Sequence, residues 1–97
     1  MKTLDEIKSI IRENLSYLRA DYNVQTIEIF GSYTKNLQSS QSDVDLLVTF
    51  SKAPSLLKYI ALENYLSRIL GLQVDLVMKK SLKPILREYI LNDIQPI

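Results

Sequence analysis

Apolar positions along the chain switch between two periods. Leu4, Ile7, Ile11, Leu15 and Leu18 recur at helical spacing on one face, which predicts a helix over residues 4–20. Thr3 and Glu6 fit a capping box at its start, each side chain meeting an otherwise unpaired backbone N–H. Asp21 to Asn23 then read as a turn. Over residues 25–30 the period drops to two: Ile27 and Ile29 point one way, Thr26, Glu28 and Phe30 the other, as in a strand. Gly31 stops that strand, and a polar stretch from Ser32 to Ser42 follows, whose first turn can be helical. Residues 43–50 read as a second strand. Val44, Leu46, Val48 and Phe50 share one face; Asp43, Asp45, Leu47 and Thr49 share the other. The run Leu46-Leu47-Val48 implies burial on both faces, as in a central strand.

Ser51 to Pro54 signal a helix entry, with Pro54 suited to the first turn. Residues 55–70 read as a helix that Gly71 terminates. Residues 73–78 form a third short strand. Ser81 and Pro84 open a last helix, with Leu82, Ile85, Leu86, Tyr89 and Ile90 as its buried stripe. The order α-β-(α)-β-α-β-α predicts a single two-layer α/β domain over residues 1–97 with three strands. No internal repeat or low-complexity tract interrupts it.

Composition narrows the chemistry. Hydrophobic residues are 46% of the chain and charged residues 24%, ordinary for a globular protein. Twelve basic against eleven acidic residues give a net charge of +1, without the basic excess that usually accompanies nucleic-acid binding. Histidine and cysteine are both absent. Serine–histidine triads, thiolate sites and the usual zinc sites are therefore excluded. Catalysis must rest on carboxylates, lysine, tyrosine, hydroxyls or backbone. A metal site must be built from oxygen, which favours magnesium, manganese or calcium. The N-terminus lacks the apolar region of a signal peptide, and no apolar run approaches the roughly 20 residues of a membrane span. A reducing cytoplasm is the expected location, with no membrane association.

Against that background, Asp43 and Asp45 stand out. Residues i and i+2 of a strand point to the same side, with Cα atoms about 7 Å apart. Two such carboxylates repel, and each is costly to desolvate. They sit where the strand turns apolar, and a divalent cation would relieve them; magnesium keeps several waters and also binds substrate phosphates. Asp75 lies in a similar setting, flanked by Val74 and Leu76. If its strand lies beside the second, three carboxylates can hold metal, or Asp75 can accept a proton from an attacking hydroxyl. Gly31-Ser32 follows a strand, where glycine permits close approach and backbone N–H groups can bind phosphate. Ten residues separate Ser32 from Asp43. Singly, each feature has an ordinary reading as a turn, a cap or an ion pair.

Together they resemble a known family. Gly-Ser, ten residues, Asp-x-Asp and a later aspartate on the next strand look like the DNA polymerase-β-type nucleotidyltransferase superfamily, and within it the minimal nucleotidyltransferases. The likeness runs through Ile29-Phe30-Gly31-Ser32, Ser42-Asp43-Val44-Asp45-Leu46-Leu47-Val48 and Gly71-Leu72-Gln73-Val74-Asp75-Leu76-Val77, and into Leu82-Lys83-Pro84-Ile85-Leu86-Arg87. The resemblance implies a two-layer nucleotidyltransferase fold, with a small three-stranded mixed sheet packed by about four helices. It implies that Asp43 and Asp45 hold two magnesium ions, with manganese as a substitute. Gly31 and Ser32 would grip the β- and γ-phosphates, with Ser42 also in the nucleotide site. Asp75 would complete the second metal site or activate the acceptor. The chain departs from the family after the serine, where Tyr33-Thr34-Lys35-Asn36 replaces a run that usually carries arginine and glycine. Lys35 either replaces the arginine as a phosphate contact, a point charge without the bidentate fork, or is a solvated surface residue.

Minimal nucleotidyltransferases of this kind are commonly antitoxins paired with a helical HEPN-domain ribonuclease. The resemblance implies transfer of AMP from ATP to a tyrosine hydroxyl of that toxin, with release of pyrophosphate, and no direct nucleic-acid binding. The 97 residues read as one domain, without the additional domains with which larger relatives hold an acceptor, and the expectation is that a separate protein supplies it. A homo-oligomer or a hetero-oligomer with the toxin is compatible with this reading. Two alternatives stay open: an antitoxin that neutralises by binding alone, and a nucleotidyltransferase acting on a small molecule such as an aminoglycoside.

Overall fold

The computed structural model describes residues 2–35, 37 and 43–97. Thr3 opens the first helix, α1 (Leu4–Glu13), through the expected capping box: its hydroxyl accepts from the Glu6 N–H, and the Glu6 carboxylate accepts from the Thr3 N–H, both at 3.2 Å. The single helix expected over residues 4–20 is broken at Asn14, and α2 (Leu15–Tyr22) follows. The Asn14 side chain donates to the Ile10 carbonyl at 2.8 Å and accepts from the Tyr65 hydroxyl at 2.8 Å. Local side-chain competition for the backbone, anchored from another element, ends the helix where the apolar pattern alone runs on. The stripe itself survives the break: Ile7, Ile11 and Leu18 are fully buried. Asn23, left-handed at φ 56°, turns the chain into the sheet.

The sheet has four strands, β1 (Val24–Phe30), β2 (Val44–Phe50), β3 (Val74–Met78) and β4 (Gln95–Pro96), in the order β3-β2-β1-β4. β1 runs antiparallel to β2 and β4; β2 and β3 are parallel. A parallel pair needs a crossover, and α3 (Leu56–Leu70) supplies it. Ser55 caps α3 by accepting from the Lys58 N–H, so Pro54 lies before the cap and not in the first turn. Gly71, at φ 66°, ends it. The mixed sheet is as expected, but it has four strands where three were read. β4 is two residues long and contains a proline, too short for any alternation to show, and it sits at an edge, where a missing N–H costs no ladder bond.

At the opposite edge, α3 covers β3. Ser67 accepts from the Val74 N–H at 3.1 Å, Glu63 accepts from the Leu76 N–H at 2.9 Å, and the Tyr59 hydroxyl donates to the Leu76 carbonyl at 2.5 Å. Positions 59, 63 and 67 are four apart, hence one above another on the helix. This polar stripe satisfies backbone groups that an edge strand would otherwise leave open.

The core lies between the helices and one sheet face, where Ile27, Ile29, Val44, Leu46, Val48, Val74 and Leu76 meet Ile7, Ile11, Leu18, Leu62, Leu66 and Leu70. Leu46, Leu47 and Val48 are all buried, as a central strand requires. Leu47 points to the other face, where its register partner Glu28 pairs with Lys79 at 3.0 Å. The last helix, α4 (Pro84–Leu91), begins at Pro84 as expected but buries none of its residues. Ile85, Leu86 and Tyr89, read as part of a buried stripe, are 82%, 50% and 67% exposed, and Leu82 and Ile90 are only partly buried. Apolar periodicity identifies a helix face that avoids water; it does not say whether this chain or another molecule covers it.

Candidate active site

The parallel register places Asp45 opposite Asp75, and the antiparallel register places Phe30 opposite Asp45. The three form one row across the sheet on the face away from the core. Neighbouring strands lie about 4.8 Å apart, so the two carboxylates are held side by side by backbone pairing. Asp43 sits just before β2 and is exposed, Asp45 is half-buried, and Asp75 is exposed. Burial, with the charges of Asp75 and Asp43 adding to it, pushes the Asp45 carboxyl up to about 6. The expectation that the strand of Asp75 lies beside that of Asp45 is met by the fold, and it brings those two acids together.

Gly31 borders the same point. Its φ is +82°, and a Cβ there would collide with the Asp45 carboxylate. Only glycine allows both the backbone conformation and the approach. Gly31–Tyr33 forms a 3₁₀ turn, the helical turn that the sequence allowed. The Thr34 hydroxyl donates to the Gly31 carbonyl at 2.7 Å, and the Lys35 and Leu37 N–H groups donate to the Ser32 carbonyl at 3.2 and 2.9 Å. Tyr33, 2% exposed, plugs the turn into the core. The turn of Gly31 and Ser32 is thus fixed, with Gly31 against Asp45. Ser42 lies outside the described residues.

Lys35 is exposed but engaged. Its ammonium lies 3.3 Å from the Asp93 carboxylate and 5.0 Å from the centre of the Tyr89 ring. The hydrogen bond to Asp93, then the charges of Asp93 and Tyr89, hold its pKa above the usual lysine value. The turn after β1 and the end of α4 are therefore in contact. Sequence reading missed Asp93 altogether and gave Tyr89 to the core. The only available signal was an acid and an aromatic ring near the chain's end, with nothing local to connect them to residue 35.

Among the described residues, the charged groups that act on Asp45 are the Asp75 and Asp43 carboxylates, oxygen donors suited to magnesium or manganese. Among the described residues no three acidic side chains already converge into a ready-made metal cage. Magnesium does not require one: it is commonly held by one or two carboxylates, with waters and substrate phosphates completing its shell. The paired acids and the raised Asp45 pKa fit a site that a cation would relax.

The sequence model for the family described as "Nucleotidyltransferase domain" matches residues 4–97. Protein adenylyltransferase MntA of Thermococcus cleftensis is 48% identical over 94 residues, covering 97% of this chain and 95% of its own. A Methanocaldococcus jannaschii relative, provisionally given a protein adenylyltransferase name, is 46% identical over 95 residues, covering 97% of both chains. Among solved structures, one provisionally described as a minimal nucleotidyltransferase superposes with a TM-score of 0.81 at 32% identity, covering 99% of this chain and 97% of that one. A toxin–antitoxin structure with AMP-PNP superposes with a TM-score of 0.72 at 26% identity, covering 88% of this chain and 69% of that one.

Proposed function

The chain belongs to the nucleotidyltransferase-domain family, and from that premise we propose that it is an antitoxin that transfers AMP from ATP to a tyrosine hydroxyl of a partner HEPN ribonuclease toxin. The observation that carries this reading is the row Asp45–Asp75 beside Gly31: paired carboxylates and a close-approach glycine at one point of the sheet. The names of the relatives, and a similar chain solved in a toxin–antitoxin structure with AMP-PNP, support the donor and the kind of partner.

In this reading Asp43 and Asp45, with Asp75 as the third carboxylate, hold magnesium, or manganese in its place. When bound, such ions neutralise phosphate charge and stabilise the attacking and leaving oxygens. Backbone N–H groups of Gly31 and Ser32, with the Ser32 hydroxyl, grip the β- and γ-phosphates. The tyrosine oxygen attacks the α-phosphorus in line, the bond to the bridging oxygen breaks, and pyrophosphate leaves. The tyrosine proton passes to Asp75 or, where Asp75 is a ligand, to solvent. Positioning and charge stabilisation supply most of the acceleration. Lys35 contributes to the triphosphate grip once released from Asp93. No described helix is long and apolar enough to cross a membrane. The proposed site of reaction is the cytoplasm, where ATP and the toxin would meet.

Incubation of the chain with a HEPN toxin, ATP and magnesium, followed by intact mass measurement, should show additions of AMP on the toxin. Absence of any mass gain with each of the four nucleotides would sink the reading. A second reading, neutralisation by binding alone, is favoured by the exposed Ile85, Leu86 and Tyr89 of α4. Full neutralisation by a chain carrying both Asp43→Asn and Asp45→Asn would support it.

A further inference from the structure

A groove of about 530 Å³ lies at the β3 edge of the sheet, between the start of α3 and the end of β3, with Pro54, Leu56, Tyr59, Leu76, Val77 and Met78 in its wall. Val77 follows Asp75 by two residues, so both stand on the same face of the sheet. Burial, then the charges of Glu63 and Asp75, hold the Tyr59 hydroxyl above the usual tyrosine value. The inner end of the groove therefore adjoins the acid row. At its outer end the apolar surface continues along α3, where Leu56, Leu57 and Ile60 are 74%, 81% and 45% exposed. Residues 56 and 57 lie one turn before residue 60, so the three form one patch. An open apolar patch that runs into a groove is the signature of a partner site.

Charge says what kind of partner. The two segments that frame the groove carry lysine and no acid: Lys52 and Lys58 in residues 51–60, and Lys79, Lys80 and Lys83 in residues 77–84. Lys79 is taken by Glu28; the other four are exposed. This concentration stands out in a chain whose net charge is only +1. The acids at the inner end are Glu63, which bonds the Leu76 N–H, and Asp75 itself. From the groove, its lysine rim and its junction with Asp75, we propose that this surface docks the acceptor protein, gripping a segment with apolar residues flanked by aspartate or glutamate. The proposal rests on the nucleotidyltransferase reading and adds to it where the acceptor is held. Apolar side chains fill the groove and supply most of the affinity, while the lysines steer the acidic segment and fix its direction. Val77 leads back to Asp75, so a tyrosine at the inner end of the segment is delivered to the acid row. The apolar lining favours a protein over a nucleic acid, for which lysines alone would suffice.

The test titrates the chain with the HEPN toxin of the mass assay by calorimetry, and measures magnesium–ATP binding on the same preparations. Leu56→Glu puts a carboxylate in the apolar wall, at a helix start where an acid is tolerated. It should weaken toxin binding roughly ten- to thirtyfold, the scale of losing one apolar anchor, and leave magnesium–ATP binding unchanged. Lys52→Glu combined with Lys80→Glu should weaken toxin binding at low salt, with the difference from wild type shrinking as salt is added. Leu57→Cys supplies the single thiol of a chain without cysteine, and should cross-link to a toxin segment that carries both apolar and acidic residues. Wild-type toxin affinity in Leu56→Glu, an equal loss of toxin and magnesium–ATP binding, or cross-linking to a segment without acids overturns the docking groove. Competition by single-stranded RNA that depends on the lysines and not on Leu56 assigns the rim to a nucleic acid and overturns it too. No toxin binding by the wild-type chain overturns the groove together with its partner. Toxin that binds through Leu56 but gains no AMP keeps the groove and overturns the transfer reading alone.

Discussion

Gly31 and Asp45 occupy adjoining space so closely that any side chain at position 31 would displace the Asp45 carboxylate. The turn that would hold phosphate and the acid that would hold metal are thus set by a single contact. Gly31→Ala should injure both. A left-handed backbone costs a non-glycine residue roughly 1–2 kcal/mol, and the added methyl must push Asp45 aside. The variant is expected to melt several degrees lower and to lose nearly all AMP transfer, checked by thermal denaturation and by the mass assay on the same preparation.

The raised Asp45 pKa carries a stability signature. A carboxyl at about 6 in the folded chain, against an ordinary value of 3.8, binds its proton more tightly folded than unfolded. Between roughly pH 4 and 6 the native state holds more protons, so stability falls as pH rises, and the cost is fully present above pH 6. Because Asp45 is only half-buried, solvent screening reduces that cost to on the order of 1 kcal/mol. Asp45→Asn should raise the melting temperature at pH 7.5 and have far less effect near pH 3, below both values, where the wild-type carboxyl is mostly protonated in both states. The opposite pattern would contradict the crowding of Asp43, Asp45 and Asp75.

Magnesium should act on the same window. Added to the wild-type chain at pH 7.5, it should raise the melting temperature, because a cation offsets the repulsion between Asp45 and its neighbours. The shift should fade as pH drops below about 6, where protons compete for the same carboxylate, and should vanish in Asp45→Asn. Sodium at matched ionic strength separates a specific site from general screening.

Lys35 is paired with Asp93 at the surface. Exposed pairs contribute little to folding, roughly 0–1 kcal/mol, so Lys35→Ala should melt close to wild type. Its effect should fall on the nucleotide: the ATP KM rises several-fold with kcat less affected, as for a residue that adds binding without taking part in bond making. Steady-state kinetics over a range of ATP concentrations read this directly.

Glu63 bonds the Leu76 N–H next to Asp75. Glu63→Ala removes one hydrogen bond to the β3 edge and should cost on the order of 1 kcal/mol. It should also loosen the strand that carries Asp75 and reduce AMP transfer. Glu63→Gln keeps an acceptor and should restore both. Hydrogen exchange at Leu76 compares the three chains.

Much of this arrangement was legible in the sequence because it is local. The capping box, the strand alternation through β1 and β2, the Gly71 stop and the spacing from Ser32 to Asp43 each depend on residues near in the chain. Even the meeting of Asp45 with Asp75 followed from two apolar strands that had to lie in one small sheet. What did not follow was set by contacts across the chain. Asn14 breaks the helix beneath a continuous apolar stripe, its side chain held by the Tyr65 hydroxyl. β4 exists because β1 offers it an edge. The α4 stripe reads as core by periodicity, yet Leu86 and Tyr89 line a cavity instead. Asp93 reaches Lys35 only through the path of α4, and no spacing rule connects positions 35 and 93.

The most direct test of the central claim is single-turnover chemistry on the toxin. Pyrophosphate release and AMP-modified toxin are followed together for the wild-type chain, Asp45→Asn and Asp75→Asn, each first shown to be folded by its melting curve. Pyrophosphate and modified toxin should appear one for one in the wild type and fall at least about a hundredfold in both variants, the scale of losing a group that stabilises charge in the transition state. Wild-type rates in either variant, or a neutralised toxin with no added mass, would contradict an active site built on Asp45 and Asp75.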